Sequence, residues 1–370
     1  MNVPAAPILS VIVPTYREAA NVPVLFARLK KALAGLAWEM IVVDDDSPDG
    51  TADIAFALAA RDSQLRCLRR VNRLGLAGAV IEGVLSSSAE FVAVIDGDLQ
   101  HDEAILPEMF AALNDGGGAD LAIGARVDEQ AGERGLSPAR QKLSHAGAWF
   151  FKRVSGLSVS DPMSGFFMIR RGIVGSIAPK LSSDGFKILA DILLCAPPGL
   201  RIIETPYIFR KRQAGESKLS PLVGMDFLGL IVHHASAGIL PIRFVLFAVI
   251  GAFGLVVHLS VLKALIVAAG LPDFRMNQLV ATLTAMTSNF LLNNQVTYRE
   301  YRYRGWGILR GLLLFALVCS VGVVVNVNIA SWLFDFDNIW WVAGFAGALV
   351  GVVWNYAVST SFVWRRRRGA

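Results

Sequence analysis

The chain has 370 residues, 54% of them hydrophobic, and a formal net charge of +5. Its mean hydropathy of +0.51 is too apolar for an ordinary soluble protein, and the length suits two domains. The basic residues mostly flank apolar segments, with RRRR closing the chain at 365–368, so the charge reflects membrane topology and no nucleic-acid partner is expected. The N-terminus has no basic n-region or long apolar run, so no cleaved signal peptide is read. Cys67, Cys195 and Cys319 are far apart. They offer no metal spacing and no disulfide framework, which fits a reducing compartment.

In chain order, ILSVIVPTY (8–16) is a continuous apolar run rich in β-branched residues, as for a strand buried on both faces. A helix is predicted at 21–35, a strand at 39–47, a helix at 51–62, a strand at 65–71 and a helix at 76–87. FVAVIDGD follows as a fourth strand. This alternation predicts an α/β domain with a mostly parallel sheet, and ligands of such sheets sit beyond the carboxyl ends of the strands. PTYRE, DDDSPDG, NRLGLAG and DGDLQH all fall there. Neither G-x-G-x-x-G after the first strand nor G-x-x-x-x-G-K-[ST] occurs, which removes the main signal of a dehydrogenase or P-loop enzyme. Residues 145–156 and 221–234 read either as amphipathic interface segments or as core helices.

Four apolar segments follow, at about 242–268, 277–297, 308–333 and 339–363, each long enough to span a bilayer. The connection after the second carries Arg299, Arg302 and Arg304, whereas that after the third carries only Asp335 and Asp337. The positive-inside rule therefore places the N-terminal domain and both termini in the cytoplasm, in the cell membrane if the source is prokaryotic. The spans also look duplicated. Residues 247–265 resemble 315–333, and SNFLLNNQVTYR (288–299) resembles WNYAVSTSFVWR (354–365), at separations of 66–68 residues. Two hairpins are expected. Asn289, Asn293, Asn294, Asn326, Asn328 and Asn355 lie within spans, either bonding helices together or lining a path for a lipid head group.

VPTYREAANV (13–22), IVVDDDSPDGT (41–51), DGDLQHDE (96–103), DPMSGFF (161–167), DGFKILADIL (184–193) and RQAGESKL (212–219) occur in that order. Together they resemble the family-2 glycosyltransferases of GT-A fold, specifically the dolichol- or polyprenol-phosphate mannose synthases. The membrane segments resemble GtrA-like domains. The resemblance implies a GT-A domain over 1–220, an amphipathic interface segment at 221–240, and an all-α, four-helix transmembrane domain over 241–370. It implies an inverting, metal-dependent transfer of mannose from GDP-mannose to a polyprenyl (dolichyl) phosphate at the cytoplasmic face of a lipid bilayer. UDP-glucose or a UDP-aminosugar as donor, and a lipid-linked-sugar flippase with a sugar-binding head, are the alternatives.

Two aspartates one residue apart at a strand end can both reach a hard cation that screens a diphosphate; their other reading is a cap on the helix that starts near Asp102. By the family pattern the Mg²⁺ or Mn²⁺ ligands are Asp98, Gln100 and Asp96, with Asp96 also touching sugar or ribose. His101 reads as a ligand or, because these ions prefer oxygen, as a residue in support or at the surface. Pro14, Tyr16, Glu18, Val43, Asp45 and Gly97 match the donor pocket, where Gly97 stands for a common Ala. Asp46 is read as the holder of the SPDG turn, and Arg73 as reaching the donor or capping a helix. A polyprenyl phosphate is already anionic and needs orientation and charge screening rather than a base. Arg126, Arg140, Lys187, Arg212 and Lys218 match that role, and Ser164 and Gly165 are expected to shape the acceptor loop.

Overall fold

The computed structural model describes residues 6–71, 75–114, 118–127, 151–153, 155–182, 188–210, 229–234, 236, 239–268, 273–337 and 340–364. The chain divides into two compact units, Met1–His234 and Ala235–Ala370.

The first unit is built on strands β1 (Leu9–Thr15), β2 (Trp38–Asp44), β3 (Leu65–Arg69), β4 (Phe91–Val94), β5 (Leu121–Val127), β6 (Phe167–Arg170) and β7 (Ile202–Ile208). Their order across the sheet is β3-β2-β1-β4-β6-β5-β7. All neighbours are parallel except β6, which runs antiparallel to both β4 and β5. Helices α1 (Asn21–Ala32), α2 (Thr51–Ala59), α3 (Leu76–Ser86), α4 (Leu106–Asn114), α5 (Arg171–Ile177) and α6 (Ile188–Cys195) connect them. Burial of β1, β2 and β4 on both faces explains their unbroken apolar runs. Val13, Leu25, Phe26, Trp38, Met40, Phe91, Phe110 and Met168 belong to one continuous core. The sequence reading placed the first four strands and three helices within a few residues. The short β6 escaped it: four residues beside the DPMSGFF turn leave no periodicity to read.

The second unit contains helices α7 (Ile242–Lys263), α8 (Phe274–Gln295), α9 (Gly307–Asp337) and α10 (Trp340–Val358). They coincide with the four expected spans. Among the described residues, Ile242–Ile266 and Gly307–Val325 are long and apolar enough to cross a membrane. Their apolar side chains are largely exposed, Leu255, Val256, Leu313, Leu317, Val323 and Val324 among them, as for helices facing lipid rather than a water-excluded core.

The internal duplication has a physical counterpart. Tyr298 and Trp364, equivalent positions 66 residues apart, stack on one another with centroids 4.2 Å apart and planes inclined by 6°. Their polar bonds are reciprocal. The Tyr298 hydroxyl pairs with Thr360 Oγ1 at 2.7 Å, and Trp364 Nε1 donates to Asn294 Oδ1 at 3.1 Å. Thr360 is itself the counterpart of Asn294 in the repeat, so each hairpin end bonds the other in the same way. Asn294 also accepts from the Tyr303 amide at 2.8 Å. Asn293 and Asn328 instead donate within their own helices, to the Asn289 and Val324 carbonyls. The side chain of Asn326 lies outside the described residues.

A second repeated contact joins the helices of each hairpin. Asn289 of α8 lies against Gly254 of α7, and Asn355 of α10 against Gly322 of α9; a Cβ on either glycine would stand 2.2 Å and 2.1 Å from the respective Asn Oδ1. Both amide oxygens are buried with no hydrogen-bond partner among the described residues, and the glycine backbone closes over them, as small residues do between membrane helices. In a helix, Gly→Ala by itself stabilises by about 0.5–1 kcal/mol. At Gly254 and Gly322 the clash outweighs that gain, and each alanine variant is expected to lower the thermal midpoint of the detergent-solubilised protein by the equivalent of about 1–3 kcal/mol. Gly251, on the same helix with nothing within 4 Å of its Cβ, is the control, and Gly251→Ala is expected to leave the midpoint unchanged or raise it. Equal midpoints for Gly251→Ala and Gly254→Ala would remove the packing role assigned to the asparagines.

Candidate active site

The carboxyl ends of β1, β2 and β4 each break into a polar loop, and the backbone is strained there. Arg17, Asp46 and Leu99 have φ of 63°, 54° and 64°, left-handed values that cost non-glycine residues about 1–3 kcal/mol. Hydrogen bonds hold these loops. Asp44, wholly buried, accepts from the Ser47 amide at 2.8 Å, the Ser47 hydroxyl at 2.6 Å and Thr15 Oγ1 at 3.0 Å. Asp44 therefore holds the SPDG turn. Asp46, expected in that role, is paired with Arg69 at 2.6 Å. Asp49 accepts from Thr51 and from the Ala19 amide, locking the first loop to the second. Desolvation raises the Asp49 carboxyl, but these donors outweigh it and hold it below the usual aspartate range.

Asp45 is buried, and one of its oxygens accepts from the Gly75 amide at 2.7 Å while the other accepts from Arg70. Burial nevertheless raises its carboxyl above the ordinary aspartate value, against the pull of Gly75 and Arg70. Pro14 pairs in register with Val43, so the two stand side by side on adjacent strands. Glu18 Oε2 accepts from Asn21 at 2.6 Å, and its amide donates to Thr51 Oγ1 at 3.0 Å. The Arg17 guanidinium lies 5.5 Å from the Tyr16 ring centroid. Every expected donor-pocket residue among these thus comes to the ends of β1 and β2.

The loop after β4 carries Asp96, Asp98 and Gln100. Asp98 Oδ1 accepts from the Gln100 amide at 3.2 Å. Gln100 Nε2 donates to the Arg210 carbonyl at 3.2 Å, which turns its amide oxygen into the available acceptor. Two carboxylates and an amide oxygen make an all-oxygen donor set, the chemistry that suits Mg²⁺ or Mn²⁺. Asp102 caps the short helix Glu103–Ile105 by accepting from the Ala104 amide, so the capping role falls to Asp102 and not to Asp96 or Asp98.

His101, expected as a ligand, in support or at the surface, holds this loop together with Tyr207 and Arg210, to which sequence reading assigned no role. His101 is buried; its Nδ1 pairs with the Tyr207 hydroxyl at 2.6 Å and its Nε2 with Asp96 Oδ2 at 3.2 Å. Phe166, Tyr207 and Phe209 surround the imidazole. Burial pushes the Tyr207 phenol well above its ordinary value, so it stays a neutral hydrogen-bonding partner. Arg210 reaches Asp102 at 2.6 Å, Glu103 at 2.7 Å and the His101 carbonyl at 3.2 Å, clamping the loop to the end of β7. In sequence Arg210 is one base in FRKR, and Tyr207 one residue of a strand without a motif. Only the sheet order brings them beside β4.

Arg126 at the end of β5 is ion-paired with Asp161 at 3.3 Å and lies 4.7 Å from the Phe209 ring centroid, the ring that also packs against His101. The Ser164 hydroxyl is spent on backbone, at 3.2 Å from both the Gly124 and Phe166 carbonyls, consistent with a loop-shaping role. Gly165 presses on Asp96, and a Cβ there would stand 2.6 Å from Oδ2. A Cβ at Gly97 meets nothing closer than Thr15 Cγ2 at 3.3 Å. Arg73, Arg140, Lys187, Arg212 and Lys218 lie outside the described residues.

Residues 10–177 match the family model described as Glycosyl transferase family 2, and residues 246–364 match that of the GtrA/DPMS transmembrane domain. The dolichol-phosphate mannosyltransferase of Pyrococcus furiosus is 33% identical over 360 residues, covering 96% of this chain and 99% of that one. The undecaprenyl-phosphate mannosyltransferase of Micrococcus luteus is 33% identical over 214 residues, covering 56% of this chain and 86% of the relative. In fold, glucosyl-3-phosphoglycerate synthase of Mycobacterium tuberculosis, solved with Mn²⁺ and UDP-glucose, superposes with a TM-score of 0.50 at 18% identity, covering 63% of this chain and 81% of that one. The first unit is a GT-A-type glycosyltransferase domain. The chain belongs to the dolichol-phosphate mannosyltransferase family.

The two glycines beside Asp96 separate a tight contact from a loose one. Gly165→Ala forces Asp96 to move and is expected to lower glycosyl-transfer turnover by about 10–100-fold, the scale of an ångström-sized misplacement. Gly97→Ala is expected to keep turnover within about threefold, because its neighbours yield by only tenths of an ångström. Steady-state transfer assays on both variants check this, and equal losses would contradict it.

Proposed function

We propose that the protein is an inverting glycosyltransferase that moves mannose from GDP-mannose to a polyprenyl phosphate at the cytoplasmic membrane face. The observation that carries the reading is the oxygen-only set Asp96, Asp98 and Gln100 on a braced loop beyond the end of β4, with Arg126 packed on the Phe209 ring that braces the same loop. The relatives' activities, on dolichol phosphate and on undecaprenyl phosphate, support the acceptor class. The Mn²⁺ in the fold relative fits a divalent cation in general.

In this reading Asp98 and Gln100 hold Mg²⁺ or Mn²⁺ and Asp96 shares the cation and the sugar. The cation supplies charge neutralisation for a diphosphate leaving group. Pro14, Tyr16, Glu18, Val43, Asp45 and Gly97 form the nucleotide pocket. A carboxylate accepting both guanine N1–H and N2–H is the physical reason to prefer GDP over UDP. Asp45 contributes chiefly by fixing its loop, since both its oxygens already accept internal bonds.

Arg126 screens and aims the acceptor phosphate, joined by Arg140, Lys187, Arg212 and Lys218. A phosphate oxygen needs no base at neutral pH; it attacks the anomeric carbon from the face opposite the nucleotide, and an α-linked donor becomes a β-linked product. In this proposal the domain limits are 1–220, 221–240 and 241–370, both termini are cytoplasmic, and residues 241–370 are the membrane domain. The described part of the middle segment, 229–234, is helical and buries Leu230 and Ile231, with His233 and His234 half-buried.

The test is transfer from labelled GDP-mannose to polyprenyl phosphate by the full chain in detergent or vesicles. Transfer is expected to require Mg²⁺ or Mn²⁺, to exceed that from UDP-glucose by at least about 100-fold, and to fall about 10³-fold or more in Asp98→Ala. Chelator-insensitive transfer, or equal use of UDP-glucose, would overturn the mechanism or the donor assignment respectively.

A further inference from the structure

The first unit holds a second cluster of ligand-type side chains, none of which has a role in the sites above. Asp191 and Cys195 stand four residues apart on one face of α6, and His234 ends the helical stretch 229–234. Asp191 Oδ1 is 2.7 Å from His234 Nε2 and 3.9 Å from Cys195 Sγ, and Sγ is 4.0 Å from the same Nε2. Asp191 is almost wholly buried and the other two are half-buried. Its second oxygen, Oδ2, is fixed by the Ser182 amide at 2.6 Å, which leaves Oδ1 aimed into the cluster.

We propose that Asp191, Cys195 and His234 form a zinc-class metal site that fastens the end of the catalytic unit to α6. Three atoms bound at about 2.0–2.3 Å around a tetrahedral ion stand roughly 3.3–3.6 Å apart, between the one shorter and two longer separations found here. Shifts of a few tenths of an ångström close the set. The donors are one oxygen, one sulfur and one imidazole nitrogen. Thiolate selects zinc-like ions over Mg²⁺ or Mn²⁺, so this site and the all-oxygen site sort different cations. Carboxylate and thiolate together balance a 2+ charge, and the thiol proton leaves to solvent on binding. The fourth position falls to water or to the Lys180 carbonyl, which lies 3.7 Å from Sγ. The Ser182 amide is the supporting bond that orients a ligating carboxylate.

Two competing readings account for less. A Cys–His–Asp nucleophile uses opposite nitrogens of the imidazole for thiol and acid, whereas both contacts here fall on Nε2. Burial first, and then the charge of Asp191, push the Cys195 thiol up to about 12, so without a metal it is a poor nucleophile. A plain Asp191–His234 ion pair explains two members of the cluster and not the convergence of the third.

The test uses the full-length chain in detergent, with any affinity tag removed and metals stripped by chelator, titrated with Co²⁺. A thiolate-to-cobalt charge-transfer band in the near ultraviolet is expected to saturate at about one equivalent per chain and to be bleached by Zn²⁺ but not by excess Mg²⁺. Co²⁺ at the all-oxygen site gives no such band, so failure of the donor-site reading leaves this result untouched. The band is expected to persist in Cys67→Ser and to vanish in Cys195→Ser. His234→Ala is expected to weaken Co²⁺ binding by about 10-fold or more. The wild-type titration does not depend on any variant folding. Absence of the band in wild type, or its survival in Cys195→Ser, overturns the proposal.

Discussion

The candidate active site depends on one buried imidazole. His101 sits between the two halves of the sheet, joined to Asp96 on the loop after β4 and to Tyr207 on β7. β4 belongs to the parallel half and β7 to the far edge, with β6 and β5 between them. A side chain that bonds both fixes the direction of the Asp96 carboxylate relative to the wall that carries Arg126. Gly165 completes the constraint by pressing on Asp96 from the β6 side, and Arg210 clamps the same loop through Asp102 and Glu103. Such bracing is how a site keeps acidic groups where a cation needs them instead of where their own repulsion would send them.

Strain and support are matched along this edge. The left-handed residues Arg17, Asp46 and Leu99 stand in the loops after β1, β2 and β4, and each loop has a set of hydrogen bonds that over-determines it: Arg17 to Ser47, Asp46 to Arg69, and Leu99 between Asp98 and the Gln100–Arg210 bonds. Costs of this kind persist where function requires the geometry. In the helical unit the comparable device is symmetry. The Tyr298–Trp364 stack and its reciprocal Thr360 and Asn294 bonds join two copies of one hairpin through the same residues used twice.

Much of this was legible in the sequence, for identifiable reasons. Strands buried on both faces write themselves as apolar runs, and loops at their carboxyl ends as polar clusters, so β1, β2 and β4 and the acids after them could be read directly. The repeat was visible because Asn289 and Asn355, and Tyr298 and Trp364, recur at one spacing. His101, Tyr207 and Arg210 were not legible as a group. Their association follows from sheet order, and the antiparallel insertion of β6 that sets that order is too short to show a pattern. The cluster of Asp191, Cys195 and His234 was hidden by distance along the chain; with cysteine spacing alone, Cys195 carried no metal signal. Asp46 misled because three consecutive aspartates look alike, and only burial and partners assign the turn to Asp44.

The central claim is that a braced all-oxygen loop grips a divalent cation together with a nucleoside diphosphate. Titration of free Mn²⁺ by electron paramagnetic resonance, in the presence of GDP and the full chain, reads that grip without requiring turnover. The wild-type protein is expected to take up Mn²⁺ in a GDP-dependent manner, with affinity about 10–100-fold weaker in Asp98→Asn and reduced in His101→Phe, which leaves the ligands in place but unbraced. Unchanged GDP-dependent uptake in Asp98→Asn would contradict the account.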